Sequence, residues 1–371
     1  MARRRARAPG ARAAHPSGAA TPRDGGWRMP AEWEPHAATW LAWPHEPSDW
    51  PGKFDAVPWV IADVARHLHD AERIRLIVRS GAERSRAAAA LVRSGVSLRR
   101  VDFVVARTDR SWTRDFLPLG LVRRRGGRRE LAVVKWRFNG WARYPNHVAD
   151  EEAGRRVARR LGVPAFFPEV ARRRVVLEGG AIDVDGEGTL LATEQCLLNG
   201  RQARNRALGR AGTERVLRDY LGAEKVIWLG TGIAGDDTGG HVDDFARFVA
   251  PGVVVVAQET DRRDPNYRPL HAARRRLAAA RDARGRRLDV VPLPMPRPVV
   301  FAGERLPASY ANFYVGTGTV LVPTFNDPND RVALGILAEL FPGRTVVGIH
   351  STDFVLGLGT IHCSTQQEPL V

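Results

Sequence analysis

Short β-rich runs alternate with helical patterns from Trp27 onward, and this alternation restricts the fold more than any other feature of the chain. Helical patterns lie near residues 55–71, 82–94, 150–161, 213–221, 268–283 and 330–341. Strand-like runs lie near residues 74–79, 101–106, 131–138, 174–184, 189–198, 226–229, 245–257, 288–293, 311–323 and 344–349. Asp185 to Gly188 separate two apolar runs and predict a hairpin turn. Because no linker or change of composition interrupts residues 27–371, we expect one large α/β domain.

The composition limits the class of protein. The 371 residues are 44% hydrophobic and 26% charged, which provides apolar material for a packed core and excludes wholesale disorder. An uninterrupted apolar run of about 18 residues, which a membrane span needs, does not occur in the sequence. The two cysteines, Cys196 and Cys363, exclude a disulfide framework and a four-cysteine zinc site, so we expect a cytoplasmic protein with free thiols.

The formal charge of +16 comes from 57 Lys and Arg residues against 41 Asp and Glu residues. Arginine clusters lie at 123–125, 155–160, 172–174 and 274–276. They could form a surface for polyanions, or they could decorate solvated helix faces and loops. We favour the second interpretation because aromatic residues do not interleave with them and no nucleic-acid motif accompanies them. Neither a specific nucleic acid nor a membrane is an expected partner.

Residues 1–26 differ from the rest of the chain. They are rich in Arg, Ala, Pro and Gly, and they carry six arginines against one aspartate with no apolar period. We therefore expect a disordered leader over residues 1–26 and a folded domain over residues 27–371. The leader has no apolar segment, which argues against an export signal. Met29 opens a different sequence, and one hypothesis is that the physiological chain starts there and the leader is a start-site artefact.

Reactive side chains are concentrated in four short stretches. These stretches are residues 111–115, 177–180, 235–244 and 360–367. Polar residues surround Cys363, which suits a thiolate in a cleft. Cys196 lies in an apolar run, which suits a small buried side chain.

His241 and Asp243 are two positions apart, so both side chains project to one face of an extended segment. This spacing also occurs in metal sites, but such sites need further His and Asp ligands in repeated clusters. The chain has a single His-x-Asp, so a metal-dependent hydrolase that releases urea is disfavoured and no metal is expected.

The four stretches together suit a division of labour in which a cysteine attacks, a histidine moves protons and carboxylates hold a cation. Several acids near a thiol raise its pKa, and a bound cation reverses that effect. A planar guanidinium matches opposed carboxylates with charge-assisted bidentate hydrogen bonds. A small cationic guanidino substrate is therefore the most economical explanation.

Six motifs follow one another between about residues 29 and 369. They are Met-Pro-Ala-Glu-Trp-Glu-Pro-His at 29–36 with Trp50-Pro51-Gly52, Trp112-x-Arg114-Asp115, Leu177-Glu178-Gly179-Gly180, Gly235-Asp236-Asp237-Thr238-x-Gly240-His241-Val242-Asp243, Ala308-Ser309-Tyr310-x-Asn312-Phe313-Tyr314 and Ile361-His362-Cys363-x-Thr365-Gln366-Gln367. This set resembles the agmatine deiminases and the related bacterial-type peptidyl-arginine deiminases of the guanidine-modifying superfamily. The resemblance implies that residues 27–371 form a deiminase catalytic domain. The implied fold is a single-domain, five-bladed α/β propeller of pseudo-repeated ββαβ units.

The resemblance also implies a catalytic set. Cys363 is the expected nucleophile, which attacks the guanidinium carbon and forms a covalent thiouronium intermediate. His241 is expected to protonate the departing ammonia and then to deprotonate the hydrolytic water. Glu178 is expected to bind the guanidinium and to orient the imidazole, and Asp243 completes the set. No metal or organic cofactor is implied.

A second set is implied to bind the substrate. Asp115 and Asp243 are expected to clamp the guanidinium nitrogens, and Trp112 is expected to flank the aliphatic stem. Asp237 is the fourth expected substrate-binding residue. The family often forms symmetric assemblies, so the resemblance also implies a homo-oligomer.

With agmatine, the expected products are N-carbamoylputrescine and ammonia, a step toward putrescine and the polyamines. Free or peptidyl arginine, which would give citrulline, is the alternative substrate, and a non-catalytic arginine-rich nucleic-acid binder is the alternative from another class. The sequence departs from the family pattern around motifs that shape the pocket, so these departures affect the identity of the substrate rather than the reaction. They are Phe116-Leu117-Pro118 after the Arg-Asp pair, Trp141-Ala142-Arg143-Tyr144, Asp183, and Thr360 before Ile-His-Cys.

Overall fold

A computed structural model describes residues 21–371, in which helices and strands alternate along the chain. The α-helices are α1 (Val57–Leu68), α2 (Gly81–Arg93), α3 (Thr113–Phe116), α4 (Val148–Arg160), α5 (Gly209–Leu221), α6 (Tyr267–Ala279) and α7 (Pro328–Leu340). The strands are β1 (His36–Ala42), β2 (Arg73–Val78), β3 (Val101–Val105), β4 (Leu119–Arg125), β5 (Arg128–Val134), β6 (Ala165–Phe166), β7 (Glu169–Val170), β8 (Arg173–Arg174), β9 (Ile182–Val184), β10 (Thr189–Thr193), β11 (Lys225–Leu229), β12 (Ala246–Ala250), β13 (Val253–Gln258), β14 (Asp289–Pro294), β15 (Val300–Phe301), β16 (Glu304–Arg305), β17 (Tyr314–Gly316), β18 (Thr319–Thr324), β19 (Thr345–His350) and β20 (Gln366–Pro369).

Five units of the chain share one connectivity. In each unit two strands pair antiparallel, a helix follows, and a third strand pairs parallel with the second. A parallel pair needs such a crossover connection, whereas an antiparallel pair can be joined by a tight turn. The units are A (β20, β1, α1, β2), B (β4, β5, α4, β6), C (β9, β10, α5, β11), D (β12, β13, α6, β14) and E (β17, β18, α7, β19). Unit A is extended by α2 and β3.

The central strands bury both faces, and successive residues pack into different apolar clusters. Leu190 packs with residues of unit B, whereas Leu191 packs with residues of unit D. Val254 packs in the cluster shared with unit C, and Val255 packs in the cluster shared with unit E. Strand β18 alternates in the same way between the cluster of unit D and the cluster of unit A, and the unit A cluster also includes residues of unit B. Each unit is therefore stabilised by its neighbours.

The expected α/β alternation is confirmed, but several strand predictions are wrong. The run predicted at 174–184 contains β8, an extended Glu178, a 3-10 turn at Gly179–Ala181 and then β9. The run predicted at 189–198 ends as a strand at Thr193, and a π-helical turn follows at Gln195–Asn199. The predicted hairpin at 185–188 is confirmed, since it joins the antiparallel strands β9 and β10.

The prediction of a disordered leader is wrong for its last six residues. Residues 21–26 contain a 3-10 turn at Arg23–Gly25, and the Gly25 carbonyl accepts a hydrogen bond of 3.0 Å from Arg123 Nη1. Residues 1–20 lie outside the described residues, so the rest of that prediction stays a prediction. Throughout residues 21–371, each helix is too short or too polar to cross a membrane.

Two helical glycines predict opposite effects of the same substitution. A Cβ added to Gly154 in α4 would lie 2.0 Å from the Phe116 carbonyl oxygen and 2.4 Å from Lys135 Cε, whereas a Cβ on Gly335 in α7 meets nothing within 4 Å. We expect Gly154→Ala to lower the free energy of unfolding by about 1–3 kcal/mol through overpacking. Gly335→Ala should raise it by about 0.5–1 kcal/mol through helix propensity. Urea unfolding of both variants checks the pair, and a shift in the same direction for both would contradict it.

Candidate active site

Five short segments, each directly before the first strand of a unit, supply the candidate site; we call them the pre-strand segments. They are residues 360–365 before β20, 112–118 before β4, 178–181 before β9, 241–245 before β12 and 309–313 before β17. Four of them contain a tight helical turn or a run of turn conformation. In such a turn the backbone N–H groups and side chains of successive residues lie close together.

Hydrogen bonds connect four of the five neighbouring pairs of pre-strand segments, and Glu178 and His241 lie 3.8 Å apart at the fifth. The Arg114 N–H donates to the Cys363 carbonyl oxygen over 3.1 Å, and the Gly180 N–H donates to Asp115 Oδ1 over 3.0 Å. Asn312 Nδ2 donates to Asp244 Oδ1 over 3.0 Å. The His362 N–H donates to the Asn312 carbonyl oxygen, also over 3.0 Å.

Cys363 is buried and faces acidic groups. Its Sγ accepts a hydrogen bond from Asn312 Nδ2 over 3.1 Å and lies 3.8 Å from Asp243 Oδ2. Burial raises the pKa of the Cys363 thiol well above its usual range, and the charges of Asp243 and Asp244 raise it further. A cation bound beside Sγ would offset those charges and favour the nucleophilic thiolate.

His241 is also buried, and three carboxylates surround its ring. Its Nδ1 lies 4.0 Å from Asp115 Oδ1 and 3.9 Å from Asp243 Oδ1, and its Nε2 lies 3.8 Å from Glu178 Oε2. Burial alone would lower the pKa of His241, but the nearby acids, Asp115 foremost, raise it well above its usual range. An imidazolium is therefore the favoured form, and it can donate a proton.

Glu178 is paired with a guanidinium that belongs to the protein itself. Both carboxylate oxygens accept from Arg204 Nε, over 2.8 and 3.0 Å, and both side chains are inaccessible. Burial raises the pKa of Glu178, but Arg204 and His241 outweigh that effect and hold it below its usual value. This geometry suits the expected role of Glu178 in orienting the His241 imidazole. A substrate guanidinium, which is also expected to bind Glu178, would compete with Arg204 for the same carboxylate oxygens.

The pKa values of the two carboxylates expected to clamp the substrate are shifted in opposite directions. Asp115 accepts from Trp141 Nε1 over 2.8 Å, and burial raises the pKa of Asp115 to about 6. Burial also acts on Asp243, but a hydrogen bond of 2.6 Å from His362 Nδ1 helps to hold the pKa of Asp243 below its usual value. Asp243 Oδ1 has no hydrogen-bond partner among the described residues.

A cavity of about 380 Å³ reaches this cluster. Asp115, Trp112, Asp237 and Cys363 line it, and the exposed β15–β16 hairpin lies at its mouth. The ring of Trp112 packs against Trp50 and Phe354 at centroid distances of 5.6 Å. Asp237 Oδ2 accepts from the Tyr144 hydroxyl over 2.5 Å. All seven predicted site residues therefore line this cavity or lie directly behind its wall, and their individual roles stay predictions.

Residues 28–369 match the family described as Porphyromonas-type peptidyl-arginine deiminase. The chain belongs to this family. An agmatine deiminase from Ectopseudomonas mendocina (strain ymp) is 38% identical over 372 residues, which cover 94% of this chain and 97% of that protein. The agmatine deiminase of Enterococcus faecalis matches with a TM-score of 0.86 and 32% identity over 96% of this chain and 99% of its own. A cysteine-to-serine form of the C. jejuni agmatine deiminase, with substrate bound, matches with a TM-score of 0.79 and 26% identity over 92% and 96% of the two chains.

The deiminase site contains functional side chains to which sequence reasoning gave no role. Asn312 contacts both Cys363 Sγ and Asp244, and its motif was noticed only as part of the resemblance. Trp141 donates to Asp115 although it stands where the chain departs from the usual family pattern. Arg110 and Asp49 form an ion pair on the cavity wall, and residue 110 directly precedes the Ser-Trp-Thr-Arg-Asp stretch, which was a signal for it.

Cys196 is fully buried in an apolar cluster, as predicted, but it also lies near the deiminase site. Its Sγ, a ring nitrogen of His241 and a carboxylate oxygen of Glu178 lie within 4.8 Å of one another. Asp243, Asp244 and Cys363 form a second such group. Arg204 already donates to both oxygens of Glu178. We assign no metal to either group, and metal-free catalysis stays a prediction.

We expect the same substitution, Asp to Asn, to have different effects on activity at the neighbouring positions Asp243 and Asp244. Burial and the charge of Asp243 raise the pKa of Asp244 well above its usual range, so an amide resembles its protonated form. We expect Asp244→Asn to change the free energy of unfolding by less than about 1 kcal/mol and to keep turnover. Asp243→Asn removes an ionised group and should lower kcat/KM about ten- to a hundredfold. Steady-state kinetics check the pair, and equal losses in both variants would refute the assigned charge states.

Proposed function

We propose that this deiminase hydrolyses agmatine to N-carbamoylputrescine and ammonia through a covalent intermediate on Cys363. One observation carries the proposal: beside a cavity, Asp243 lies 3.8 Å from the buried thiol of Cys363 and 3.9 Å from the buried ring of His241, and Asp115 lies 4.0 Å from the same ring. A guanidinium placed there offsets the acidic charges and brings its carbon to Sγ. The agmatine deiminases from E. mendocina and E. faecalis, which this chain resembles over most of its length, add support.

The chemistry has two stages. Binding of the guanidinium favours loss of the Cys363 proton to solvent, the thiolate adds to the guanidinium carbon, and the His241 imidazolium gives its proton to the nitrogen that leaves as ammonia, which produces a thiouronium. His241, now neutral, takes a proton from water as that water attacks the same carbon. The C–S bond then breaks and the ureido product leaves. The net reaction consumes one water and releases one ammonia, with no change of oxidation state.

The charges of the cavity wall favour agmatine over arginine. Of the side chains that line the cavity in the described part of the chain, Arg110 is the cation, and Asp49 already pairs with it. Arg143, the other candidate for an arginine carboxylate, packs on the Tyr144 ring and lies outside the lining. Asp237 and Glu304 add negative charge to the wall. A substrate with a distal ammonium suits this wall, whereas a distal carboxylate would face acids.

We further propose that units A to E are arranged as a five-bladed propeller around the site. The proposal is supported by the shared ββαβ connectivity and by the apolar clusters that join A with B, B with C, C with D, D with E and E with A. The hydrogen bonds between the pre-strand segments also support this arrangement. A cytoplasmic location and a homo-oligomeric state stay predictions from the sequence.

A substrate panel tests the proposed reaction. Purified protein is given agmatine, free arginine and a peptide with a C-terminal arginine separately, each with and without a chelator, and ammonia release is measured. We expect turnover of agmatine that the chelator does not change, because no step needs a metal. Preference for arginine or the peptide would overturn the substrate assignment, and chelator-sensitive release of urea would overturn the mechanism.

Substitution of the two thiols tests the covalent step. Cys363→Ser should reduce kcat by at least about a thousandfold, because the hydroxyl is a far weaker nucleophile at neutral pH. Cys196→Ser is the control and should keep most of the turnover, since this thiol is not expected to attack. Mass spectrometry of rapidly quenched wild-type enzyme should detect an adduct on Cys363. Substantial turnover by Cys363→Ser would exclude the covalent mechanism.

A further inference from the structure

Behind Asp243, on the side away from the cavity, a histidine is held between two carboxylates. His362 Nδ1 lies 2.6 Å from Asp243 Oδ2, and His362 Nε2 lies 2.8 Å from Glu32 Oε2. All three side chains are buried. His362 stands next to the nucleophile in sequence, but the catalytic steps above do not use it.

The two short contacts limit how the His362 ring can donate hydrogen bonds. A neutral imidazole donates one N–H, so its other nitrogen would turn a lone pair toward a carboxylate oxygen at hydrogen-bond distance. That arrangement is repulsive unless the carboxylate carries a proton. An imidazolium donates from both nitrogens and satisfies both carboxylates with charge-assisted hydrogen bonds.

Glu32 is held in its ionised form by other donors. Arg247 Nη2, Arg114 Nη2 and the Val315 N–H donate to its oxygens over 2.9, 3.0 and 2.8 Å. Burial raises the pKa of Glu32, but Arg247, His362 and Arg114 together hold it well below its usual range. These donors favour the ionised form of Glu32, which can accept the hydrogen bond from His362 Nε2.

Asp243 has two oxygens in different situations. Oδ2 accepts from His362 and, over 3.4 Å, from Asn312 Nδ2, so it is fixed from behind. Oδ1 has no partner in the described part of the chain and lies on the side of His241 Nδ1, at 3.9 Å. An unpartnered buried carboxylate oxygen is costly unless a ligand completes it. The free oxygen is thus available to a guanidinium N–H.

We propose that His362 and Glu32 are positioning residues for the deiminase reaction: the His362 ring, anchored by Glu32, fixes Asp243 through Oδ2 so that Oδ1 faces the guanidinium. This inference rests on the proposed function. In this role His362 and Glu32 affect how tightly the substrate binds, although neither residue contacts it.

The kinetic test compares His362→Gln and Glu32→Gln with Glu72→Gln. Glu72 is a matched control, because it also is a buried glutamate beside a histidine, with its Oε2 3.3 Å from His36 Nδ1, and it lies outside the cavity lining. For His362→Gln we expect the KM for agmatine to rise about ten- to a hundredfold with a smaller change in kcat, as the loss of a charged hydrogen bond implies. Glu32→Gln should give a smaller rise, and Glu72→Gln should lower the melting temperature without changing KM.

The pH profile separates positioning from mere stability. The charged groups that face Asp243 are His362, His241, Arg247, Asp244, Asp115 and Cys363. Loss of the hydrogen bond from His362 makes Asp243 easier to protonate, so the acidic limb of kcat/KM should move to higher pH in His362→Gln. An unchanged KM and an unchanged acidic limb, with stability lost to the same extent as in Glu72→Gln, would overturn the proposal.

A labelling measurement does not depend on turnover. Chloroacetamidine carries a cationic amidine that resembles the guanidinium, whereas chloroacetamide is neutral, and both reagents alkylate thiols, so labelling of Cys363 is measured by mass spectrometry. We expect the ratio of their labelling rates to fall about tenfold in His362→Gln, since one charged contact is misplaced, and to stay at the wild-type value in Glu72→Gln. If wild-type protein does not hydrolyse agmatine, the proposed function fails and this ratio still decides the positioning role. Should His362→Gln not fold, Glu32→Gln, which keeps every heavy-atom position, replaces it, and an unchanged ratio overturns the proposal.

Discussion

Negative charge buried beside a thiol is the constraint on which the rest of this structure depends. Asp115, Glu178, Asp243 and Asp244 are all removed from water around Cys363 and His241. A buried carboxylate costs several kcal/mol unless a partner or a proton compensates it. The protein uses a different means at each position. Arg204 compensates Glu178, the imidazole of His362 compensates Asp243, raised pKa values favour a proton on Asp244, and N–H donors hold Asp115.

This arrangement also explains why the carboxylates can bind a cationic substrate. Charges that are fixed before the substrate arrives need no reorganisation when it binds, and a low-dielectric surrounding strengthens their effect. The side chains lie in short segments between packed sheets, which limits their freedom. The central strand of each unit is buried on both faces and packs against neighbouring units. This close packing limits movement of the segments that form the site.

Much of the site could be predicted from the sequence because its chemistry is local. Glu178, His241, Asp243 and Cys363 stand in polar stretches that turns alone do not require, and the structure brings them together. The partners that compensate them could not be predicted, because their role depends on contacts between distant segments. Arg204 stands in an Arg-Asn pair that also resembles the family, but nothing near it in sequence indicates Glu178 as its partner, and Glu32 lies far from the cysteine in sequence. Strand β20 was missed for a related reason: its Gln-Gln-Glu-Pro sequence has low strand propensity and owes its form to pairing with β1.

The pairing of β20 with β1 has a consequence for how the molecule assembles. These strands come from opposite regions of the chain, so their contact closes a very long loop, and contacts of that kind form late and slowly in folding. The strands and helices of units B to E lie close together in sequence, whereas unit A joins the two ends of the described chain. Since Cys363 lies just before β20, the strand pair that closes this loop also holds the reactive thiol beside acids from the other units. The reactivity of this one thiol therefore depends on a contact between segments more than 300 residues apart in sequence.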